Sequence, residues 1–151
     1  PTHTPTFTKS PTVTPTEDCT VEFDRSFNLA LLSQINSERL AKGLSSFEIS
    51  FEMERVAEYH LRDLVCNNIL GHTGSDGSSP EDRADLFGVA YTELIELVLP
   101  ESETLEGTEI LMEDEDFLGI LSNADFQLVG MAYSDESYAG KNGVFVLIFF
   151  Y

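Results

Sequence analysis

The sequence contains no tryptophan and few basic residues, histidines or cysteines. Its 151 residues include three His, two Cys and eight Lys plus Arg, against 27 Asp plus Glu. The formal net charge is −19, which repels nucleic acids and anionic membranes and attracts cations and basic partners. Nucleic-acid binding is therefore excluded as the expected function.

Long apolar runs are also absent. No segment approaches the ~20 consecutive apolar residues that a membrane-spanning helix needs, so we predict no transmembrane segment. The apolar run at 144–151 does not alternate with polar residues, which is typical of a strand covered on both faces. The chain is long enough to bury a core as one domain.

The two cysteines are too few for a disulfide scaffold or for a zinc site with paired Cys-x-x-Cys spacing. Cys19 and Cys66 either remain unpaired or form one bridge that ties the start of the domain to the end of a helix. We favour the bridge because other features of the chain are typical of an exported protein.

The first sixteen residues, PTHTPTFTKSPTVTPT, contain seven Thr, four Pro and one Ser. Proline at this density excludes helix and favours an extended backbone. The composition fits a disordered linker, an O-glycosylated stalk, or an arm that adds to a neighbour's sheet edge and drives self-association. We therefore divide the chain into a linker, stalk or arm at 1–18 and one folded domain at 19–151.

Hydrophobic periodicity predicts helices early in the domain and antiparallel strands late. This order favours an α+β fold in which helices pack on a sheet. Gly43 stops the first helix, and Lys141-Asn142-Gly143 predicts a hairpin turn between the last two strands. The predicted helices cover 27–42, 51–67, 104–112 and 114–121, and the predicted strands cover 126–133 and 143–151.

The stretch from Gly71 to Arg83 is rich in Gly, Ser and Asp and predicts a loop. His72, just after the second helix, is either a turn residue that hydrogen-bonds the backbone or a site residue. His60 lies on or beside the apolar face of that helix, where we expect a half-buried histidine with a hydrogen-bond partner.

Several motifs together resemble the CAP superfamily, the cysteine-rich secretory, antigen 5 and pathogenesis-related proteins, in its short bacterial form. The resemblance implies a three-layer α/β/α sandwich with a mainly antiparallel sheet, and a protein that is extracellular or on the cell surface. It covers residues 31–151 and rests on Asn36-x-x-Arg39, Ala57-x-x-His60-x-x-Asp63, His72-Thr73-Gly74-Ser75-Asp76-Gly77 with Asp82-Arg83, and Val129-Gly130-Met131.

The same resemblance implies a cleft in which some family members bind a divalent metal. The first cleft histidine falls on His72, the cleft glutamate on Glu93, and the second histidine on Asp116, so a carboxylate replaces an imidazole. We predict that His72, Glu93 and Asp116 are the candidate ligands of zinc, calcium or magnesium. No catalytic residue is assigned.

We therefore expect a non-catalytic, secreted or surface-displayed CAP-like protein with a binding or structural role. Its partners would be other copies of the chain, reached through the arm, or molecules of the cell surface, and its tail would carry O-glycans. The alternative is a metal-dependent hydrolase or divalent-metal-binding protein that uses the residual cleft.

Overall fold

The computed structural model describes residues 19–100, 112, 115–136 and 143–151, except the side chain of Asp116. Within them lie four helices and four strands. In chain order they are α1 (Arg25–Ala41), β1 (Glu48–Ile49), α2 (Phe51–Asn67), α3 (Pro80–Leu86), β2 (Leu94–Pro100), α4 (Glu115–Ser122), β3 (Leu128–Ser134) and β4 (Val144–Phe150).

The four strands form one sheet in the order β1-β3-β4-β2. Strand β4 pairs antiparallel with both β2 and β3. The predicted α+β class is confirmed. The sheet is mixed, however, because the short strand β1 pairs parallel with β3 through Glu48–Leu128 and Ile49–Val129. A two-residue strand carries no periodicity, so the sequence pattern did not predict it.

Two apolar cores lie on opposite faces of this sheet. All seven residues of β4 are buried, and they alternate between the cores: Phe145, Leu147 and Phe149 pack with α1 and α4. Val144, Val146, Ile148 and Phe150 pack with α2 and α3. Apolar side chains thus cover β4 on both faces, as its unbroken apolar sequence predicts.

The two long helices begin and end at or near the predicted residues. The carboxylate of Asp24 accepts a hydrogen bond from the Phe27 amide at 2.9 Å and caps α1. The hydroxyl of Ser50 caps α2 in the same way. The predicted helix over 104–112 and the predicted turn at 141–143 lie outside the described residues, apart from Met112 and Gly143.

Helix α3 begins inside the stretch from Gly71 to Arg83 that was expected to be a loop, and it extends beyond that stretch to Leu86. Ser79 and Asp82 form a reciprocal capping box, and Pro80 occupies the first turn. Serine followed by proline and then by acidic residues is the usual signature of a helix start. The sequence therefore contained the signal for α3, but the glycines that precede it favoured the prediction of a loop.

Arg39 is fully buried and joins α1 to the end of α4. Its guanidinium donates to the backbone carbonyls of Asn123 and Phe126, each at 3.0 Å, and to that of Ile120 at 3.2 Å. These carbonyls lie at and beyond the C-terminus of α4, where the helix leaves carbonyls without partners inside the helix. Arg39 therefore has a structural role, and its charge is stabilised by backbone dipoles.

Cys19 and Cys66 form a disulfide, as expected. The bridge closes a loop with a sequence separation of 47 residues and fixes the start of the domain to the end of α2. A loop of this length restricts the unfolded chain considerably.

We predict that reduction of this bridge lowers the free energy of unfolding by about 4 kcal/mol. The measurement is urea denaturation with and without reductant. The Cys19→Ser/Cys66→Ser double variant serves as the control, because reductant has no effect on it. An unchanged midpoint of the native protein on reduction would contradict the prediction.

Candidate functional site

A buried carboxylate, that of Glu96, lies at the centre of a charge cluster between α2, α3 and β2. Its Oε2 accepts a hydrogen bond from Arg83 Nη2 at 2.7 Å, and both side chains are only 1% exposed. Its Oε1 accepts one from His72 Nδ1 at 3.0 Å. The Nε2 atom of His60 lies 3.6 Å from the same oxygen. One carboxylate thus contacts three nitrogen-bearing side chains.

Arg83 also holds the loop that carries His72. Its guanidinium donates to the backbone carbonyl of Ser78 at 2.9 Å and to that of His72 at 3.1 Å. The capping box of α3 fixes the helix turn from which Arg83 projects. A single buried arginine therefore joins β2, α3 and the loop over residues 71–79.

The loop is further fixed to α2 by Asp63. The carboxylate of Asp63 accepts hydrogen bonds from the Ser75 amide at 2.7 Å and from the Ser75 hydroxyl. An added Cβ at Gly74 would fall 2.7 Å from Ser78 Oγ and 2.8 Å from Asp76 Oδ1, so these side chains would have to move to admit it. The loop is thus closely packed, and its shape depends on these short polar contacts.

His60 is fully buried beneath the loop. Its Nε2 atom lies 2.9 Å from the carbonyl oxygen of Gly71, and because that oxygen only accepts, Nε2 carries the proton and donates. Its Nδ1 atom is then unprotonated and has no hydrogen-bond partner among the described residues. Burial lowers the pKa of His60, and the nearby Arg83 adds to this, whereas Glu96 and Asp63 act in the opposite direction.

We predict that His60 makes the fold acid-sensitive. In the unfolded chain it binds a proton near pH 6.5, whereas in the folded protein it does so only at lower pH. The unfolded state therefore binds more protons, and stability falls as the pH drops below about 6.5 and through the lower folded pKa. The measurement is urea denaturation between about pH 7.5 and 5.

The control for this prediction is His60→Gln, whose side-chain amide retains a donor for the Gly71 carbonyl but does not titrate in this range. We expect a flatter pH profile for this variant below about pH 6.5. Equal slopes for the variant and the native protein would assign the acid sensitivity to other groups.

The structure brings one of the three predicted site residues to this cluster. His72 contacts Glu96, but Glu93 does not join them. The carboxylate of Glu93 accepts a hydrogen bond from the Tyr151 hydroxyl at 2.9 Å, and Tyr151 packs on the core of α1 and α4. Because successive residues in extended backbone point to opposite faces, Glu93 and Glu96 face different layers. The carboxylate that contacts His72 is that of Glu96.

A sequence signal for Glu96 was present. Glu96 is an acid between Ile95 and Leu97, within the apolar run of β2, whereas Glu93 precedes the strand. An acidic residue within such a strand is rarely buried unless it is paired, and it marks a candidate site better than an acid at the strand end. The carboxylate that contacts His72 thus lies three residues beyond the position that the family motif indicates.

Asp116 lies in α4, and Phe117 and Ile120 of this helix pack into the core on the other face of the sheet. The side chain of Asp116 is outside the described part of the chain. Among the described residues, no group of three His, Cys, Asp or Glu side chains could hold a metal ion. That His72, Glu93 and Asp116 are the ligands of a metal ion stays a prediction.

Comparisons with known proteins agree with this architecture. The model of the cysteine-rich secretory protein family, CAP, matches residues 32–149. No curated protein matches the chain. None of the helices in the described ranges is long and apolar enough to cross a membrane.

Three solved structures share the fold. An outer surface protein from Borrelia burgdorferi is similar with a TM-score of 0.73 and 20% identity over 87% of this chain and 98% of that one. An extracellular protein containing an SCP domain from Bacillus anthracis is similar with a TM-score of 0.67 and 17% identity, over 81% of this chain and 39% of that one. A cysteine-rich secretory protein from Staphylococcus aureus is similar with a TM-score of 0.61 and 17% identity, over 90% of this chain and 40% of that one. Identities this low show the fold alone.

Proposed function

Because the chain belongs to the CAP family of cysteine-rich secretory proteins, we propose that it is an extracellular or surface-displayed domain with a non-catalytic binding or structural role. The observation that carries this proposal is the state of Glu96. Its carboxylate is buried and bound by Arg83 and His72. The carboxylate at the centre of the charge cluster thus serves to hold the cluster together.

General acid–base catalysis needs a group that reaches the substrate and exchanges a proton with it. The Glu96 side chain is 1% exposed and its carboxylate is bound to the Arg83 guanidinium, so it does not reach a substrate. The His72 side chain is 57% exposed and is oriented by Glu96. The cluster therefore presents an exposed, oriented imidazole on a loop held by Arg83 and Asp63, which suits recognition of a ligand.

Two observations support a location outside the cytoplasm. A disulfide joins Cys19 and Cys66, and such bonds persist in oxidising compartments. Two of the similar structures are described as an outer surface protein and an extracellular protein.

The location can be tested by mass spectrometry of native material combined with protease treatment of intact cells. We expect a mass two hydrogens below that of the reduced chain, additional hexose masses on residues 1–16, and digestion of the protein on intact cells. Free thiols in a protease-protected protein would contradict an extracellular location.

The binding role can be tested with the labelled domain added to intact cells of the source culture. We expect His72→Ala to reduce retention on the cells. Glu93→Gln is the matched control, because Glu93 contacts Tyr151 on the other side of the sheet. Equal retention of both variants and the native domain would remove the cleft as the binding surface.

We further propose that residues 1–16 act as an arm in self-association, because their alternating Thr, Phe and Val residues suit addition to a sheet edge. Deletion of residues 1–16 tests this in size-exclusion chromatography. We expect the shortened chain to elute with a lower apparent mass than the full chain. The difference between the two apparent masses should exceed the mass of the deleted segment. Elution of both as monomers would remove the arm hypothesis and leave the location and binding proposals standing.

Divalent-metal binding is the second candidate function, and the observation that favours it is an exposed imidazole 3.0 Å from a carboxylate. Calorimetric titration with zinc, calcium and magnesium tests it. Binding that disappears in both His72→Ala and Glu93→Gln would support the predicted ligand set. No binding, or binding unchanged in His72→Ala, would remove this candidate.

A further inference from the structure

One edge of the sheet is a full-length strand. The order β1-β3-β4-β2 makes β1 and β2 the two edge strands of the described sheet. Strand β1 has two residues, and so short an edge strand is one of the ways in which proteins prevent pairing with another chain. Strand β2 has seven residues. An edge strand of this length is a template on which an extended segment can add.

The backbone groups on the outer side of β2 belong to alternate residues. The Tyr151 amide donates to the Glu93 carbonyl at 3.3 Å, so Glu93 directs its backbone groups toward β4. This direction alternates from one residue of a strand to the next. The residues whose amides and carbonyls face away from β4 are therefore Leu94, Glu96 and Val98. No backbone group in the described ranges bonds to them on that side.

The sequence of residues 1–16 has the matching alternation. Every even position from 2 to 16 is Thr or Ser, whereas the four prolines occupy positions 1, 5, 11 and 15. In an extended strand, even and odd residues direct their backbone groups to opposite sides. The missing N–H groups therefore all fall on the odd side, and the Thr/Ser side keeps every donor and acceptor. Such a strand can pair along one side while proline blocks the other.

Charge favours residues 1–16 as the part of one copy that contacts another. All 27 acids lie beyond residue 16, so residues 17–151 carry 7 Lys plus Arg against 27 Asp plus Glu. Two such domains repel each other. Residues 1–16 contain Lys9 and no acid, so they can approach an acidic domain without this repulsion. Residues 11–18 extend to at most ~29 Å, which is enough to leave one domain and reach the next.

We propose that residues 6–10 of a second copy add as an antiparallel strand to the outer side of β2. This inference rests on the self-association proposed above for residues 1–16, and it names the surface that accepts them. Residues 6–10 are the longest proline-free run within residues 1–16. Antiparallel pairing is the more stable of the two directions. The even residues of the run then bond to the outward groups of Leu94, Glu96 and Val98.

This register gives the two large side chains of the run suitable neighbours on the α1 and α4 side of the sheet. Lys9 lies opposite Ile95 and diagonal to Glu93, which is exposed and acidic. Phe7 lies diagonal to Ile95 and Leu99, two partly buried residues at the margin of that core. Diagonal neighbours across a strand pair are within reach of aromatic and long side chains. The added strand thus forms an ion pair and covers apolar surface.

The pairing side of residues 1–16 is tested by proline substitution in the full chain, with sedimentation equilibrium at about 150 mM salt. Thr8→Pro removes an N–H that faces β2, whereas Lys9→Pro removes one that faces solvent. Lys9→Thr is the charge reference for Lys9→Pro. We expect Thr8→Pro to weaken association about tenfold or more, and Lys9→Pro to associate as strongly as Lys9→Thr. Unchanged association in Thr8→Pro, or equal weakening in Thr8→Pro and Lys9→Pro, would overturn the proposal.

The accepting edge is tested by cross-linking. A Lys9→Cys chain is mixed with an Ile95→Cys chain, since directly opposite residues of an antiparallel pair have a Cα separation that suits a disulfide. Glu48→Cys on β1, the other edge, is the matched control. We expect a mixed covalent dimer with Ile95→Cys and none with Glu48→Cys. No cross-link to Ile95→Cys, or an internal bridge in one chain that carries both Lys9→Cys and Ile95→Cys, would overturn the proposal.

The outcome of deleting residues 1–16 separates this inference from the proposal on which it rests. Association that is lost on deletion but does not cross-link to β2 would show that residues 1–16 bind elsewhere, and the arm hypothesis would stand. Association that survives the deletion unchanged would remove both.

Discussion

Gly130→Ala is expected to destabilise the domain strongly. Gly130 lies in β3 where the strand passes the first turn of α2. An added Cβ would overlap the carbonyl carbon and oxygen of Met53 and lie 2.7 Å from the Glu54 amide nitrogen. These are backbone atoms, so no change of rotamer relieves the overlap, and α2 would have to move away from the sheet.

The free energy of unfolding should fall by about 3 kcal/mol or more, at the upper end of the range for overpacking. The loss is large because α2 supplies much of the core on one face of the sheet. This is a large fraction of the stability of a typical domain. The measurement is urea denaturation or, where the variant does not fold, the loss of far-UV circular dichroism.

The control for Gly130→Ala is Gly119→Ala in α4, where an added Cβ meets no atom within 4 Å. Alanine is the better helix former, so this variant should be stabilised by up to about 1 kcal/mol. Native stability in Gly130→Ala would show that α2 does not approach β3 as closely as described.

Glu96→Gln is expected to lower the free energy of unfolding by about 3–5 kcal/mol at neutral pH. The substitution preserves size but removes the charge that compensates Arg83, whose side chain is 1% exposed. Breaking one side of a buried ion pair leaves an uncompensated charge in a low-dielectric site. Because Arg83 also holds the carbonyls of His72 and Ser78, the loop over 71–79 should lose order together with β2.

The change is measured by urea denaturation, and local order by hydrogen exchange of the loop amides. The matched control is Glu93→Gln three residues earlier, where the exposed carboxylate accepts a hydrogen bond from the Tyr151 hydroxyl and an amide oxygen can do the same. We expect the free energy of unfolding of the Glu93→Gln variant to differ from that of the native protein by less than about 0.5 kcal/mol. A small effect in both variants would show that burial of Glu96 does not depend on its charge.

Much of the architecture could be predicted because it depends on local patterns. The helical stripe that includes Leu31 and Ile35 predicted α1, and the unbroken apolar run of β4 predicted a strand covered on both faces. Hydrophobic periodicity reports burial directly, so elements whose faces are uniformly buried or exposed leave a clear trace. The disulfide between Cys19 and Cys66 was favoured by the exported character of the chain, and with two cysteines only one pairing exists.

The candidate site was harder to predict because it depends on tertiary contacts. Whether Glu93 or Glu96 reaches His72 is decided by which side of the sheet each side chain faces, and a shift of one residue in the strand register changes the answer. His60 was expected to be half-buried with a partner, and it is fully buried with only one ring nitrogen bonded within the described chain. The parallel pairing of β1 with β3 is a contact between distant segments that no local pattern contains.

If the Glu96 carboxylate is a structural partner of Arg83, a double-mutant cycle between the two residues will reveal their coupling. The variants are Arg83→Met, Glu96→Leu and the two together, each measured by urea denaturation at pH 7. We predict that each single substitution is strongly destabilising, whereas the double variant loses less than the sum by about 2–3 kcal/mol, because it leaves no buried charge unpaired. If the losses in the free energy of unfolding of the two single variants simply add in the double variant, Glu96 is not the structural partner of Arg83.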